Sequence, residues 1–373
     1  MVTGALVTGM AWSTALGSDL DQVWQALLAG ASGVTTVPGH HPLRNDRAAV
    51  VADLPMELDP VTRQYELGAR TLRAALADAG LDITDPRLRL VAGTSYGSHL
   101  DVPPGGLDRW GEALATTLGM ARRPLVVSTA CSAGSDAILA GAALIAESEE
   151  EICVVGGVDV LTPAKRLGHS ALGTMSPTAL RAFDESHDGT ILGEGAAFLV
   201  LEHARSAQAR GARARGRLSG TGSANDAAGP TAPDPSGGTV MNAVSAALAT
   251  AGRSTGEVGV LNAHGSGTPV NDEAESRGFA RTFAYGAAPV VFATKGAFGH
   301  TLGATGALEA VAVLLALRDK RVPPVHGLST VMPGFPLPLQ TGAAPLPFTG
   351  DVGLSVTLGF GGFTTCLALE VPT

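Results

Sequence analysis

The sequence predicts an α/β protein in which helices cover both faces of a central sheet. Short apolar runs typical of buried strands alternate with longer segments of helical periodicity, a pattern characteristic of a sheet buried on both faces. The chain has 373 residues, 45% of them hydrophobic, which is enough for a large core in one or two domains. Strand candidates lie at 4–10, 88–93, 125–130, 151–161, 195–202, 258–265, 290–295, 352–360 and 365–371, and helix candidates at 21–30, 64–80, 133–148, 240–251, 270–284 and 303–318.

A faint internal repeat is the second observation on the fold. The run VVSTACSAGSDAILAGAALI resembles the later run VFATKGAFGHTLGATGALEAVAVLLAL, since each has a strand, a turn of small residues and a helix rich in Gly and Ala. Two similar halves therefore meet, and the polar run ARGARARGR near 210–217 is typical of a solvated crossover. We expect an N-terminal half at 1–212 and a C-terminal half at 213–373.

Charge and cysteine content limit the class of function. The formal net charge is −9 and no basic stripe is present, so nucleic acid is not an expected partner. Three cysteines in a chain of this length indicate a reducing, cytoplasmic compartment and not a disulfide framework. No apolar run reaches the length of a membrane span, and the apolar N-terminus lacks a basic region, so we expect neither membrane association nor a signal peptide.

Cys131 is the first candidate for chemistry. It lies between an apolar run at 125–127 and the helix candidate at 133–148, which places it at a strand-to-helix turn. Unpaired backbone N–H groups at a helix N-terminus favour the thiolate, which is the nucleophilic form of cysteine, and could also hold an oxyanion. A free cysteine is more often a buried apolar residue, and we interpret Cys153 and Cys366 in that way because both lie within strand candidates.

Two histidines occupy similar positions in the second half. His264 follows a strand candidate in LNAHGSGTP, and His300 lies before the second Gly/Ala-rich helix in TKGAFGHTLG. Either histidine alone is ordinary, but turns that follow parallel strands collect at one edge of a sheet, where Cys131 is also expected. Lys295 and Glu309 flank His300, and a buried pair of these two would fix the orientation and protonation of the imidazoles, although an ordinary ion pair is the simpler interpretation.

Two further segments bear on function. Gly93, Ser95 and Gly97 form a G-x-S-x-G pattern, which is typical of the nucleophile turn of an α/β-hydrolase. That turn needs a helix directly after it, and SHLDVPPGGLDRW has no helical pattern, so we reject the hydrolase interpretation. The loop at 225–238, NDAAGPTAPDPSGG, is long and rich in turn residues, and we expect it to contact substrate.

Five longer motifs together resemble the β-ketoacyl-ACP synthase (ketosynthase) family of the thiolase superfamily. They are STACSAG at 128–134, FDESHDGTILGEGA at 183–196, NAHGSGTPVND at 262–272, TKGAFGHTLGATGALEA at 294–310 and GFGGF at 359–363. The resemblance covers nearly the whole chain, and the motifs stand in the family's order. It implies a thiolase fold, in which two pseudo-symmetric βαβαβαββ halves form a five-layered αβαβα architecture, and a homodimer or a heterodimer with a ketosynthase-like subunit.

The resemblance also implies roles for individual residues. Cys131 would take an acyl chain as a thioester from the phosphopantetheine of an acyl carrier protein, without a metal or redox cofactor. His264 and His300 would stabilise the enolate formed when malonyl-ACP loses carbon dioxide, with support from Lys295 and Glu309. The backbone N–H groups of Cys131 and Phe360 would form the oxyanion hole, and the Phe360 side chain would gate the acyl pocket. Thr268 and Thr301 would line the pantetheine tunnel.

The chain departs from the family pattern in three places. The interval between Gly97 and Cys131 is short, whereas in most related enzymes it builds dimer contacts and a wall of the acyl pocket. The closing motif reads VTLGFGGFTT at 356–365 where the family has NSFGFGGTN, and His187 stands where the family usually has Arg. The candidate catalytic residues are retained, so these departures bear on the acyl substrate and the dimer.

Three functions fit these observations. The first is a decarboxylative condensing enzyme of a bacterial specialised-metabolite pathway of the polyketide or fatty-acid type. The second is a ketosynthase-like acyltransferase or malonyl-ACP decarboxylase without chain elongation, which the short 98–130 segment favours. The third is a non-catalytic partner similar to chain-length-factor subunits, and the presence of Cys131, His264 and His300 together argues against it.

Overall fold

Helices alternate with strands along the chain, as the sequence predicts. The computed structural model describes residues 4–37, 39, 41–96, 106–284 and 288–372. The strands are β1 Ala5–Ser13, β2 Val34–Thr36, β3 Arg47–Ala49, β4 Leu88–Gly93, β5 Leu125–Val127, β6 Ile152–Asp159, β7 Gly195–Glu202, β8 Gly216–Asn225, β9 Val258–Asn262, β10 Val290–Phe292, β11 Arg321–Val322, β12 Leu346–Pro347, β13 Val352–Gly359 and β14 Phe363–Glu370. The helices are α1 Leu20–Leu28, α2 Pro60–Ala79, α3 Arg109–Thr117, α4 Ala133–Ala146, α5 Pro163–Ala171, α6 Ala204–Ala209, α7 Gly238–Ala251, α8 Pro269–Thr282, α9 Lys295–Phe298 and α10 Thr305–Asp319. None of the helices within these ranges is long and apolar enough to cross a bilayer.

A mixed sheet of ten strands, counted over the described residues, runs through the molecule. Its order is β10-β9-β13-β14-β8-β1-β7-β6-β4-β5. The first half of the chain supplies β1, β4, β5, β6 and β7, and the second half supplies β8, β9, β10, β13 and β14. When the strands of each half are numbered in chain order, both halves have the order third, second, fourth, fifth, first from the outer edge of the sheet to its centre. The internal repeat of the sequence therefore has a structural counterpart. The two sets join where β1 pairs antiparallel with β8, from Ala5 opposite Leu218 to Val7 opposite Gly216.

Two helices lie between the halves of this sheet. Helix α4 packs against β4 and β6 on one side and against β14 on the other, and α10 packs against β7 and β13. Helix α2 covers the outer face of β1 and β7, while α7 covers β8 and β14, which gives five layers. Residues 305–317 of α10 are all buried, and Gly306 lets this helix approach α4 closely, because a Cβ there would collide with Ser135.

Burial explains which strands the sequence reveals. Every residue of β6 and of β7 is buried, so both appear in the sequence as continuous apolar runs. Strand β8 was not predicted because GRLSGTGSAN is rich in Gly and Ser. A Cβ at Gly220 or Gly222 would collide with the backbone of α7, so that helix packs directly on the strand and excludes side chains there. The sequence prediction also lacks the helices α3, α5, α6 and α9 and the short strands β2, β3, β11 and β12.

Equivalent turns of the two halves lie side by side. A 3₁₀ turn precedes α4 at Ala130–Ser132, another precedes α10 at Leu302–Ala304, and the two are in contact. Ala130 and Leu302 share a left-handed backbone, with φ of 51° and 50°. Strand β4 runs parallel to β5, and β9 runs parallel to β10. The turns that follow these strands therefore meet at one place in the molecule.

Candidate active site

Cys131 lies at the turn between β5 and α4, as the sequence predicts. It is the central residue of the 3₁₀ turn and is only 5% exposed. The left-handed φ of Ala130 is costly for a residue with a side chain, and such conformations cluster at functional turns. The Ser132 hydroxyl donates a 2.8 Å hydrogen bond to Asp136 in the first turn of α4, which holds the turn in place.

Burial dominates the titration of the Cys131 thiol. It raises the pKa to about 12, although the positive charge of Lys295 and a hydrogen bond from the backbone N–H of Phe360 favour the thiolate. The thiolate expected at a helix terminus is therefore not the resting state, because the loss of hydration outweighs the nearby N–H groups. The thiol needs a base when it reacts.

Alkylation tests the access to Cys131. Cys131 lines a cavity, whereas Cys153 and Cys366 have no exposed surface. We expect iodoacetamide to modify Cys131 alone in folded protein, at a rate that rises about tenfold per pH unit above neutrality, because only the thiolate reacts and burial raises the pKa of this thiol. Peptide mass spectrometry over a pH series measures both site and rate. Equal labelling of all three cysteines, or a rate independent of pH, would contradict this expectation.

His264 and His300 are neighbours in the same site. Their ring centroids are 5.1 Å apart, with the ring planes at 82°. Burial, reinforced by the charge of Lys295, lowers the pKa of both imidazoles well below the usual value, so both are neutral. The backbone N–H of Leu302 donates to Nδ1 of His300 at 3.3 Å, which leaves the ring proton on Nε2. Within the described ranges, Nδ1 of His264 is buried without a hydrogen-bond partner.

Lys295 and Glu309 form a buried ion pair beneath the histidines. Nζ of Lys295 lies 2.6 Å from Oε1 of Glu309, and both side chains are about 1% exposed. The same ammonium group donates to the backbone carbonyl of His264. Burial raises the pKa of Glu309 to about 7, against the opposing effect of the lysine charge. The pair therefore links α10 to the backbone that carries His264.

A second buried carboxylate holds the loop of His264. Glu275 on α8 accepts hydrogen bonds from the backbone N–H groups of His264 and Gly265, each at 2.7 Å, and from the Asn271 side chain at 2.8 Å. Burial raises the pKa of Glu275 to about 8, while these donors stabilise its charged form. The sequence analysis did not assign Glu275 a role. Its only signal in the sequence is its position three residues after Asp272, the last residue of the motif NAHGSGTPVND, which is a helical spacing.

His187 supports the same loop through Asp272. Its Nδ1 lies 3.1 Å from Oδ2 of Asp272, and the backbone N–H groups of Phe183 and Gly267 donate to the same carboxylate. The hydrogen bond to Asp272 raises the pKa of His187. A titratable side chain thus stands where the family pattern has a permanent cation.

Replacement of His187 by Arg should flatten the pH dependence of stability above neutral pH. Because the folded pKa of His187 is raised, its bond to Asp272 contributes fully below the unfolded pKa of about 6.5 and is lost as pH rises through the folded value. The other charges that act on His187 are Glu273 and Asp184, and both also raise its pKa. Urea unfolding from about pH 6 to pH 9 measures the effect. A difference in unfolding free energy between the two proteins that stays constant with pH would contradict it.

A cavity of about 310 Å³ has Cys131, His264 and His300 in its wall. Phe360 and Thr268, to which the family resemblance assigns substrate contacts, both line this cavity. Thr231 lines it as well, and it belongs to the 225–238 loop that the sequence analysis expects to contact substrate. Thr301 is not among the described lining residues. Its side chain is buried, and its hydroxyl lies 3.1 Å from that of Thr305, so its place in a pantetheine tunnel stays a prediction.

The G-x-S-x-G pattern has a structural use. The backbone N–H of Ser95 donates to Oδ2 of Asp159 at 2.9 Å, and the same oxygen accepts from Gly303 at 2.6 Å, next to the turn of His300. Ser95 does not line the cavity of Cys131 among the described residues. Gly97 and the 98–105 part of the short segment lie outside the described residues.

Sequence reasoning missed His169. This residue lies near the end of α5 and lines the cavity together with Cys131. Its ring stacks on that of Phe360, with centroids 5.6 Å apart and planes at 25°. Its only signal is the histidine in KRLGHSALG, on a helix that was not predicted. In the parts of the chain that the structure describes, no group of three or more His, Cys, Asp or Glu residues is arranged to hold a metal.

The fold and the site define a class of protein. Two pseudo-symmetric halves that enclose two buried helices form the thiolase fold, and a cysteine beside two neutral imidazoles is suited to acyl transfer and carbon–carbon bond formation. A family model described as "Beta-ketoacyl synthase, N-terminal domain" matches residues 5–207, and one described as "Beta-ketoacyl synthase, C-terminal domain" matches residues 215–329. The chain belongs to the β-ketoacyl synthase family, whose members are condensing acyltransferases of the 3-oxoacyl-ACP synthase type.

Individual relatives agree with this assignment. The chain is 30% identical over 419 residues to 3-oxoacyl-[acyl-carrier-protein] synthase 2 of Mycobacterium tuberculosis, and the match covers 99% of this chain and 98% of the relative. A β-ketoacyl synthase from Burkholderia phymatum superposes with a TM-score of 0.90 at 29% identity, covering 100% of both chains. The ishigamide ketosynthase/chain length factor superposes with a TM-score of 0.92 at 27% identity, also over 100% of both chains.

Proposed function

We propose that this chain joins an acyl group held on Cys131 to the two-carbon unit of malonyl-ACP, in a bacterial pathway of the polyketide or fatty-acid type. One observation carries the proposal: Cys131 shares a cavity with two neutral imidazoles and accepts a hydrogen bond from the backbone N–H of Phe360. The half at 1–212 would supply the cysteine and the half at 213–373 the histidines. The composition favours the cytoplasm as the location.

In the first step, Cys131 would take the acyl group from a carrier-bound thioester. The thiol proton passes to His264, which is the better acceptor because Nδ1 of His300 already accepts a hydrogen bond. The sulfur attacks the thioester carbonyl, and the phosphopantetheine thiolate leaves and takes up the proton. Backbone N–H groups of Cys131 and Phe360 stabilise the oxyanion formed on the way.

In the second step, malonyl-ACP would lose carbon dioxide. The electron pair of the broken carbon–carbon bond becomes an enolate, and its oxygen accepts a hydrogen bond from Nε2–H of His300 and from His264. No strong base is needed, because the carbanion forms as carbon dioxide leaves. The enolate carbon attacks the acyl-cysteine held beside it, and the Cys131 thiolate departs.

The carrier protein would deliver both substrates through the mouth of the 310 Å³ cavity. Thr268 and Thr231 lie on this path and offer hydroxyl groups to the amides of the phosphopantetheine arm. The names of the curated relatives contain the acyl carrier protein, which supports it as the partner.

A second subunit would pair along β5. This strand lies at one edge of the ten-stranded sheet, and Leu125 is 41% exposed there. An unpaired edge with an exposed apolar side chain is a suitable surface for strand pairing. The second subunit is either another copy of this chain or a ketosynthase-like partner, as the name ketosynthase/chain length factor suggests for one structural relative.

Acyl transfer or decarboxylation without elongation is the second candidate. The short interval before Cys131 favours it, because this interval usually contributes to the acyl pocket. A non-catalytic partner role is disfavoured, since Cys131, His264 and His300 all lie in one cavity wall.

The test exposes purified enzyme to a panel of acyl-ACPs and then to malonyl-ACP. Intact-protein mass spectrometry should show a mass increase equal to the acyl group, mapped to the Cys131 peptide, and malonyl-ACP should then give a β-ketoacyl-ACP. Conversion of malonyl-ACP to acetyl-ACP without that product would favour decarboxylation. No adduct with any acyl-ACP would overturn the proposal and favour the partner role.

A further inference from the structure

A third imidazole lines the cavity of Cys131, and neither step above uses it. His169 stacks on the ring of Phe360, whose backbone N–H donates to the Cys131 sulfur. Both side chains line the same cavity as Cys131, into which an acyl group on the sulfur would extend. The inference that follows rests on the proposed function, because it concerns the acyl group that Cys131 carries.

Thr174 fixes the protonation of the His169 ring. The Thr174 hydroxyl donates to the backbone carbonyl of His169 at 3.1 Å, so its oxygen accepts from Nδ1–H of the ring at 2.9 Å. The ring proton is then on Nδ1, and Nε2 keeps its lone pair. Nε2 takes part in no hydrogen bond with the part of the chain that the structure describes.

The surroundings of His169 keep it neutral. Burial and the positive charge of Lys165 lower the pKa of His169 to about 4. Lys165 lies one helical turn earlier on α5, is 3% exposed, and is held by Asp159 and by the backbone carbonyl of Val160 at 2.9 Å. This side of the cavity thus presents a neutral acceptor backed by a buried ion pair.

The size of the cavity limits how an acyl group can avoid His169. Its volume of about 310 Å³ is at the lower end for small-molecule sites and must also hold the end of the phosphopantetheine arm. A larger apolar cavity of about 730 Å³ lies against Pro163 and Leu167, but its described lining includes neither Cys131 nor His169. A saturated acyl chain would leave Nε2 dehydrated and unpaired, which is costly.

We propose that His169 is a specificity-determining residue, which selects acyl groups with a hydroxyl or N–H donor on the two carbons nearest the thioester. The donor hydrogen-bonds to Nε2, while the carbonyl carbon is bonded to Cys131. Discrimination of this kind is strong because a site built to pair with a polar group penalises the analogue that lacks it.

The test compares three carrier-free probes, the hexanoyl, 2-hydroxyhexanoyl and 3-hydroxyhexanoyl thioesters of pantetheine. Intact-protein mass spectrometry gives the rate of Cys131 acylation by each. We expect the better hydroxyacyl probe to react about tenfold faster than hexanoyl with the wild type, the discrimination that one neutral hydrogen bond gives. In His169→Phe, which keeps a ring against Phe360 but has no nitrogen, this ratio should fall to about one.

Two further variants separate the hydrogen bond from general disturbance. Thr174→Val removes the group that fixes the ring proton and should give an intermediate ratio. His326→Phe makes the same chemical change at a distant histidine, whose Nδ1 contacts the carbonyl of Gly30, and should keep the wild-type ratio. Equal ratios in the wild type and in His169→Phe, or a wild-type preference for hexanoyl, would overturn this inference alone. No adduct with any probe would overturn the proposed function as well.

Discussion

Replacement of Cys131 by alanine should reduce the formation of β-ketoacyl-ACP by about 10⁴-fold or more, a loss typical of an enzyme without its nucleophile. No acyl adduct should then appear in the intact mass. The carrier-bound product is measured by mass spectrometry after incubation with acyl-ACP and malonyl-ACP. The histidines remain in this variant, so the loss of carbon dioxide from malonyl-ACP should continue.

Cys153→Ala is the matched control for this experiment. Cys153 is fully buried in β6, away from the cavity, and the change removes one sulfur atom from the core. The Cys153→Ala substitution should lower the free energy of unfolding somewhat, and the acyl adduct should still form on Cys131. An adduct that persists in Cys131→Ala and disappears in Cys153→Ala would reverse the assignment of the nucleophile.

Replacement of Lys295 by methionine should be the most destabilising change in the site. It leaves the Glu309 carboxylate buried without its 2.6 Å partner, and breaking a buried pair in this way costs about 3–5 kcal/mol. Lys295 also holds the backbone carbonyl of His264, so condensation and decarboxylation should both fall. Urea unfolding and the two product assays measure these effects.

The pH dependence of the unfolding free energy of Lys295→Met tests whether the unpaired Glu309 carboxylate causes the loss of stability. The folded pKa of Glu309 is already raised to about 7 with Lys295 present, and the loss of the lysine charge raises it further. A raised carboxyl pKa means that stability is lost as pH rises from the unfolded value of about 4.5 towards the folded value. The loss of stability should therefore be larger at pH 8 than at pH 6. In Lys295→Met/Glu309→Gln, stability should recover in part and lose this pH dependence, while activity should stay low. A loss of the same size at both pH values in the single variant would exclude Glu309 as the cause.

The sequence predicts the parts of the site that follow strands. Cys131, His264 and His300 each come after an apolar run and before a turn of small residues, and parallel strands bring such turns together. The same pattern cannot reveal His169 and Glu275, because both lie on helices whose neighbours are set by packing.

Burial is the property that the sequence reports least well. The helix terminus at Cys131 predicts a thiolate, yet the depth of the site raises the pKa of the thiol to about 12. Strand β8 illustrates the same limit in the fold, because its glycines are required by the approach of α7. Both outcomes depend on the distance between elements that are far apart in the chain.

The position of α10 has a consequence for how such an enzyme can evolve. This helix is the buried centre of the fold, and it also carries Glu309, so a change in the reaction machinery is also a change in the core. Helix α5 lies at the margin of the site, and His169 is partly exposed there. On the proposal made for His169, a replacement at this partly exposed position would change substrate preference without touching α10, while the chemistry stays constrained by the need to fold.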